Sequence, residues 1–254
     1  ANLANLGEYG IPERIRELAE VGSRLAREAA DAYTTGDKPR FVLGSVGPGT
    51  KLPTLGHAPF EQLRDAYVEQ VVGLLDGGVD VVLVETSQDL LQTKAAVVAA
   101  KRAMQRVGRS VPIIAQVTVE TTGTMLVGSE IGAALTSLEP LGVDVVGMNC
   151  ATGPAEMSEH LRVLSQQARV PLSVMPNAGL PELGPNGAVY PLGPDELAEA
   201  LAGFVGDFGV RLVGGCCGTT TEHVRAVTEA VAGLSPVARE PDHIPAVASM
   251  YQQV

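Results

Sequence analysis

A five-residue pattern occurs three times and restricts what this chain can fold into. Gly78-Val79-Asp80-Val81-Val82, Gly142-Val143-Asp144-Val145-Val146 and Gly209-Val210-Arg211-Leu212-Val213 align without gaps. Each is a glycine followed by a mainly aliphatic run, the composition of a strand buried on both faces. Counting seven residues on from each glycine reaches Glu85, Asn149 and Cys216, and counting eight reaches Thr86, Cys150 and Cys217. Polar and reactive side chains are therefore expected at one height on three strands.

The intervening segments carry helical periodicity. A first helix is expected from about Pro12, with Ile15, Leu18, Ala19, Gly22, Leu25, Ala26 and Ala29 on its inward stripe. Phe41 to Gly47 reads as a strand, Glu61 to Leu75 as a helix, Val79 to Glu85 as a strand and Gln88 to Val107 as a helix. The alternation continues with a strand at Pro112 to Val119, a helix at Ser129 to Leu138 and a strand at Val143 to Cys150. Pro154 stands where a first-turn proline is tolerated and opens a helix to about Ala168. After a short strand at Pro171 to Met175, a loop from Asn177 to Gly193 is long enough to be functional. A helix from Pro194 to Phe204 precedes the strand that ends at the paired cysteines. Thr219 and Glu222 have capping-box spacing for the last helix, with Val224, Val227 and Val231 facing inward. Residues 234–254, with three prolines, read as a tail or linker, so the domain expectation is a barrel over 1–233 followed by 234–254.

Alternating strands and helices imply parallel strands with right-handed crossovers. An open doubly wound sheet gathers its ligands at a switch point, whereas a (βα)8 barrel of the TIM type gathers them at many strand ends on one face. The expected fold class is therefore α/β, a (βα)8 TIM-type barrel with six strands visible and the first two strand units absent from this sequence. With no Trp and four Phe, the core must be aliphatic. A net charge of −11 and a pI near 4.8 argue against nucleic acid or an anionic membrane as main partner. No apolar run approaches a membrane span and no signal-peptide pattern opens the chain, which makes the cytoplasm the default.

All three cysteines fall at strand ends, and the odd count with one adjacent pair argues against a disulfide framework. Three thiolates with a fourth position open to substrate suit catalytic zinc. Neighbouring strand residues point to opposite faces, so Cys216 and Cys217 share a metal only if the backbone turns, which Gly214, Gly215 and Gly218 permit. Buried structural cysteines are the plainer alternative, and a phosphate cradle at Gly214 to Thr220 leaves Cys150 unexplained. His57, His160, His223 and His243 lie away from the strand ends and read as solvated. Glu85, a carboxylate ending an apolar strand, needs a cationic partner, either a substrate ammonium or a loop Lys or Arg. Asn177 stands at the end of its own strand, where its amide oxygen could serve zinc as a weak fourth ligand or merely cap a turn.

Asn149-Cys150 with Gly153-Pro154, Pro176-Asn177-Ala178-Gly179 and Gly214-Gly215-Cys216-Cys217-Gly218-Thr219-Thr220 together resemble the zinc-dependent homocysteine S-methyltransferase family. The resemblance runs to about Gly233. It is greatest to the N-terminal homocysteine-binding module of the cobalamin-dependent members that make methionine. It implies zinc on Cys150, Cys216 and Cys217 and the homocysteine amino group on Glu85; beside it, Asn177 is expected as a labile zinc ligand and Asn149 and Asn177 as further substrate-binding residues. Homocysteine thiol would be acidified on zinc and would accept a methyl group from methylcobalamin, ultimately from methyltetrahydrofolate. The cobalamin and folate modules would belong to the parent chain. The family's Asp-Gly-Ala-Met-Gly and Asn-Thr-Phe-Gly motifs are absent, so about 60 residues of barrel are expected to be missing at ~30 per unit. Three alternatives stand beside this reading. Betaine or S-methylmethionine could be the donor. The fragment could be a non-catalytic unit whose open seam pairs with another chain. It could also be a metal-free phosphate-binding barrel.

Overall fold

The computed structural model describes residues 3–185, 187–242 and 245–254, so His243 lies outside the described residues. Helices and strands alternate, and the six main strands follow chain order, β1-β2-β3-β4-β5-β8, an α/β fold of the (βα)8-barrel type. The chain divides into two compact units, Ala1–Ala115 and Gln116–Val254.

The first unit contains α1 (Leu3–Glu8), α2 (Ile15–Tyr33), β1 (Leu43–Val46), α3 (Phe60–Asp76), β2 (Val81–Ser87), α4 (Leu90–Val107) and the start of β3 (Ile113–Val117). β1 and β2 pair in parallel from Leu43↔Val81 to Val46↔Val84. The acidic residue of the first motif copy has a structural task here. Asp80 accepts a hydrogen bond from the Val42 backbone N–H at 2.7 Å and pairs with Arg27 at 2.6 Å, fixing the entry to β1. Asp89, fully buried, caps α4 by accepting from the N–H groups of Leu91 and Gln92, and also takes both donors of Thr54.

The inward stripe expected of α2 is narrower than its periodicity implies. Ile15, Ala19 and Ser23 are buried, whereas Gly22, Leu25, Ala26 and Ala29 are exposed. Backbone approach decides this. A Cβ on Gly73 of α3 would lie 2.3 Å from the Arg16 carbonyl oxygen, and one on Gly77 would lie 2.5 Å from that of Glu20. α2 therefore packs along one row of small residues. β1 also begins two residues later than expected, with Phe41 exposed.

The second unit contains the rest of β3, then α5 (Ile131–Leu138), β4 (Val145–Asn149), α6 (Pro154–Gln167), β5 (Leu172–Met175), β6 (Glu182–Gly184), β7 (Gly187–Val189), α7 (Pro194–Phe208), β8 (Val210–Val213) and α8 (Thr221–Val231). Every residue of β3 and β4 is buried, as two-sided burial of parallel strands requires. Two Gly-Pro-x-Glu sequences start helices alike: Glu156 accepts from the Gly153 N–H at 3.1 Å and Glu196 from the Gly193 N–H at 2.9 Å. β5 pairs with β4 and β8, but its register with β8 shifts between Leu172↔Val210 and Ser173↔Leu212. β8 thus holds one extra residue, and a count of seven from Gly209 passes beyond the strand instead of ending level with Asn149. The segment expected as plain loop contains the antiparallel pair β6 and β7.

The last helix differs in two respects. Its N-cap is Thr220, whose N–H donates to Nδ1 of His223 at 3.2 Å, not the Thr219 and Glu222 pair. Its buried face is His223 and Val227, with Val224 at 59 % exposure. Among the described residues no helix is long and apolar enough to cross a membrane.

The described residues of the last segment, 234–242 and 245–254, belong to the second unit and pack within it. The Arg239 guanidinium donates to the carbonyls of Ala168 at 2.9 Å and Val170 at 2.6 Å, closing the end of α6. The Tyr251 carbonyl accepts from Glu130 N–H, and the Tyr251 ring lies on Gly128. Losing Arg239 leaves two carbonyls without a charged donor, so Arg239→Ala is expected to cost about 1–3 kcal/mol in urea unfolding and to speed proteolysis after Gly233. Unchanged stability and cleavage would show the strap to be passive.

Candidate metal centre

Cys150 follows the last residue of β4 and is turned out of the strand by left-handed backbone at Cys150 (φ 64) and Ala151 (φ 61). Such conformations cost about 1–3 kcal/mol each outside glycine and persist where neighbours over-determine them. The neighbours here are the Met175 carbonyl, which accepts from Cys150 N–H at 3.1 Å, and the Cys150 carbonyl, which takes the Thr152 N–H at 2.8 Å.

Cys216 and Cys217 sit past β8 in a turn built by cross-strand bonds. Cys216 N–H donates to the Pro176 carbonyl at 2.8 Å, Cys217 N–H to Asn177 Oδ1 at 3.0 Å, and Ala178 N–H to the Cys217 carbonyl at 2.9 Å. Gly218 at φ 79 completes the turn, and the Cys216 carbonyl receives the Thr219 hydroxyl at 2.8 Å. The turn puts adjacent cysteines on the same side, which a continuing strand could not.

The three Sγ atoms lie within 4.8 Å of one another, with Cys150 to Cys217 at 3.8 Å and Cys216 to Cys217 at 4.0 Å. Thiolates bound to one tetrahedral zinc at about 2.3 Å stand about 3.8 Å apart. The trio therefore fits a single soft metal ion. All three thiols are free, and Cys217 is the exposed one.

Without a cation, three clustered sulfurs cannot all ionise. Hydrogen bonding from the Cys216 thiol, then from Ala151 N–H and the Cys217 thiol, lowers Cys150 to about 6 against the opposing effect of burial. The same bond, burial and the charge on its neighbours push Cys216 far up. A divalent metal eases that conflict by bonding all three sulfurs and offsetting two of their three charges.

Asn149 is fully buried and directs its amide Nδ2 toward Cys216 Sγ at 3.8 Å, while its carbonyl accepts from the Thr118 hydroxyl at 2.9 Å. Asn177, 2 % exposed, uses Oδ1 on the Cys217 backbone. Five of these expected residues, Asn149, Cys150, Asn177, Cys216 and Cys217, thus meet in the second unit. Glu85 belongs to the first unit, on β2, where its carboxylate accepts from the Ser45 hydroxyl at 2.5 Å.

The histidines hold no metal-ligand position among the described residues. His223 is buried rather than solvated: Nδ1 accepts from Thr220 N–H, so Nε2 carries the proton and donates to the Leu192 carbonyl at 2.9 Å. That bond holds the loop before α7 to the start of α8. Tyr190, which sequence reasoning missed, lies in this loop with its ring against Gly218, where a Cβ would stand 2.3 Å from Tyr190 Cγ. The proximity of Cys217, then desolvation and the charge of the cysteines, holds the phenol above its ordinary value.

An anion cradle between Gly214 and Thr220 is poorly supplied with donors. The N–H groups of Gly214, Cys216, Cys217, Thr219 and Thr220 are all engaged with protein acceptors.

The family model for homocysteine S-methyltransferase matches residues 1–231. This chain belongs to that family. It is 63% identical over 253 residues to methionine synthase of Mycobacterium tuberculosis (strain ATCC 25618 / H37Rv) and 62% identical over 258 residues to that of Mycobacterium leprae (strain TN). In both comparisons all of this chain is covered, and it spans 21% of the relative's length. The homocysteine methyltransferase MmuM from Escherichia coli, metallated form, superposes with a TM-score of 0.71 at 23% identity, covering 90% of this chain and 76% of that one. Its apo form gives a TM-score of 0.67. At that identity the likeness carries the fold.

Proposed function

We propose that this chain is the homocysteine-binding module of a methionine synthase, a methyltransferase that converts homocysteine to methionine. The observation that carries the proposal is the convergence of three free thiol sulfurs at the spacing of one tetrahedral zinc. Cys150, Cys216 and Cys217 would hold the metal. Bound zinc would supply Lewis acidity toward the homocysteine sulfur, favouring the thiolate at neutral pH.

The protein's own groups do the rest. Asn177 fixes Cys217 through its backbone, and the second lone pair of its Oδ1 is free to act as a weak, displaceable fourth ligand. Asn149 steadies Cys216 and, with Asn177, lines the substrate side. Glu85 is assigned to the substrate ammonium, with Ser45 orienting its carboxylate.

The methyl donor is proposed to be methylcobalamin, recharged from methyltetrahydrofolate, each held by a module outside this chain. The support is the identity to methionine synthases of which this chain spans 21%. Residues 1–233 would form the homocysteine module and 234–254 a linker toward the others. Free thiols at the centre are consistent with a cytoplasmic setting.

Zinc stoichiometry measured with homocysteine binding tests the proposal: one zinc per chain and zinc-dependent binding are expected, and homocysteine binding without metal would overturn it. Glu85→Gln should weaken homocysteine about tenfold to a hundredfold, as loss of a hydrogen bond to a charged group does, with zinc content unchanged. Equal affinity by calorimetry would remove Glu85 from the site.

A further inference from the structure

Cys150, Cys216 and Cys217 are held in place through their backbone, which leaves every sulfur free to react. Cys150 N–H is fixed to the Met175 carbonyl, Cys216 N–H to the Pro176 carbonyl and Cys217 N–H to Asn177 Oδ1. The three Sγ atoms stand within 4.8 Å of one another in the second unit, and among the described residues no carboxylate or imidazole joins the group. Cys217 is exposed while Cys150 and Cys216 are part buried, so a small solute meets one sulfur first and finds two more beside it. A site with three soft donors and no hard one suits elements that prefer sulfur to oxygen.

We propose that the trio is also a binding site for trivalent arsenic, taken up as arsenous acid, and that arsenic held there excludes homocysteine. The exclusion rests on the metal reading above; the binding does not. Each thiol replaces one hydroxyl. Three S–H and three As–O bonds break, three S–As and three O–H bonds form, and three waters leave, with no change of oxidation state. Charge favours the product. Three thiolates around a divalent ion keep one negative charge, whereas three sulfurs bonded to arsenic(III) are neutral, which suits sulfurs held partly out of water. Arsenic(III) also carries a lone pair where tetrahedral zinc has its fourth position. Bound zinc can accept a fourth sulfur, and bound arsenic does not. The fold supplies the proximity. Cys150 and Cys217 are 67 residues apart in sequence but 3.8 Å apart at sulfur, and closing an interval of that length costs an unfolded chain about a hundredfold in affinity.

The test is titration of the zinc-free, phosphine-reduced protein with sodium arsenite at neutral pH, read by mass spectrometry and by counting the thiols left for an aromatic disulfide reagent. One arsenic per chain with no reactive thiol remaining is expected. One thiol left over would mean that two sulfurs hold the arsenic, which overturns the three-sulfur site. The folded protein should bind arsenite about a hundredfold more tightly than the same chain in urea, and equal affinities would overturn a site built by the fold. Arsenite should also release zinc from the loaded protein and abolish homocysteine binding in calorimetry; arsenic-loaded protein that still binds homocysteine overturns the exclusion. A protein that takes up one zinc and one homocysteine but no arsenite overturns this inference alone. One that takes arsenite on three sulfurs but no zinc overturns the metal reading and the exclusion drawn from it, and upholds the arsenic site.

Discussion

Cys150→Ala is expected to abolish tight zinc binding, lowering affinity by more than about a hundredfold, which exceeds the loss caused by removing a group that only supports a ligand. The reason is geometric. Cys216 and Cys217 are neighbours in one turn, and without Cys150 they offer zinc two adjacent sulfurs at 4.0 Å and no ligand from β4. Two protein thiolates leave half of a tetrahedral coordination shell to water. Folding should be little affected, because Cys150 is only part buried and its backbone bonds to Met175 and Thr152 do not involve the sulfur. Elemental analysis after dialysis against a chelator, with circular dichroism as the folding control, reads both. A folded variant that retains one tightly held zinc would remove Cys150 from the ligand set. A thiol-alkylating probe provides an independent readout: it should label the parent protein faster once zinc is stripped, since coordinated thiolates are protected.

Much of this was legible because two-sided burial leaves a strong mark on sequence. The motif copies at Val79, Val143 and Val210 each lead into a strand, since an aliphatic run between glycine and polar residues admits few other structures. The helix starts at Pro154 and Pro194 were equally readable, because a proline fits the first turn; the Glu156 and Glu196 carboxylates that accept from Gly153 and Gly193 were not read. What escaped notice depended on partners distant in sequence. Leu25 and Ala26 fit an apolar stripe on α2, yet the packed face is set by Gly73 and Gly77 on another helix. His223 looked solvated until Leu192, thirty-one residues earlier, supplied its acceptor.

The cysteine cluster shows the same division. Sequence identified the three residues, because no thiol occurs anywhere else in the chain. It did not supply the means by which adjacent cysteines face one way: the turn depends on Pro176, Asn177 and Ala178, all on a different strand end. The extra residue in β8 likewise cannot be read locally, since register is a property of the pair β5 and β8. Tyr190 is the clearest omission. The available signal was Gly218, a glycine beside two cysteines, but a glycine announces a close approach without naming what approaches.

Gly147→Ala is expected to be the most damaging single methyl group that can be added to the second unit. Gly147 lies in the middle of β4, opposite Ser173 of β5. A Cβ there would stand 1.9 Å from the Ser173 carbonyl oxygen and 2.4 Å from its hydroxyl. The hydroxyl cannot simply rotate away, because Ser173 is fully buried and its Oγ accepts from Gln116 Nε2 at 3.0 Å, itself fully buried. The carbonyl is backbone, so relief requires β5 to move as a whole. Overpacking of a rigid core costs about 3 kcal/mol or more when backbone must shift. At about 2–4 °C per kcal/mol for a chain of this size, the melting temperature should fall by about 6–12 °C. Gly22→Ala is the matched control, since Gly22 lies on the exposed face of α2 with open space where the methyl would go. There, alanine should stabilise by about 0.4–1 kcal/mol through helix propensity and a more restricted unfolded chain. The consequence for the metal follows from the topology: β4 ends at Cys150 and β5 leads to Asn177, so separating them pulls apart the bonds that orient all three sulfurs. Zinc content should therefore fall together with stability in Gly147→Ala and stay unchanged in Gly22→Ala. A Gly147→Ala protein that melts within about 1 °C of the parent, less than 0.5 kcal/mol on the same scale, would show that β4 and β5 are not in the close contact described.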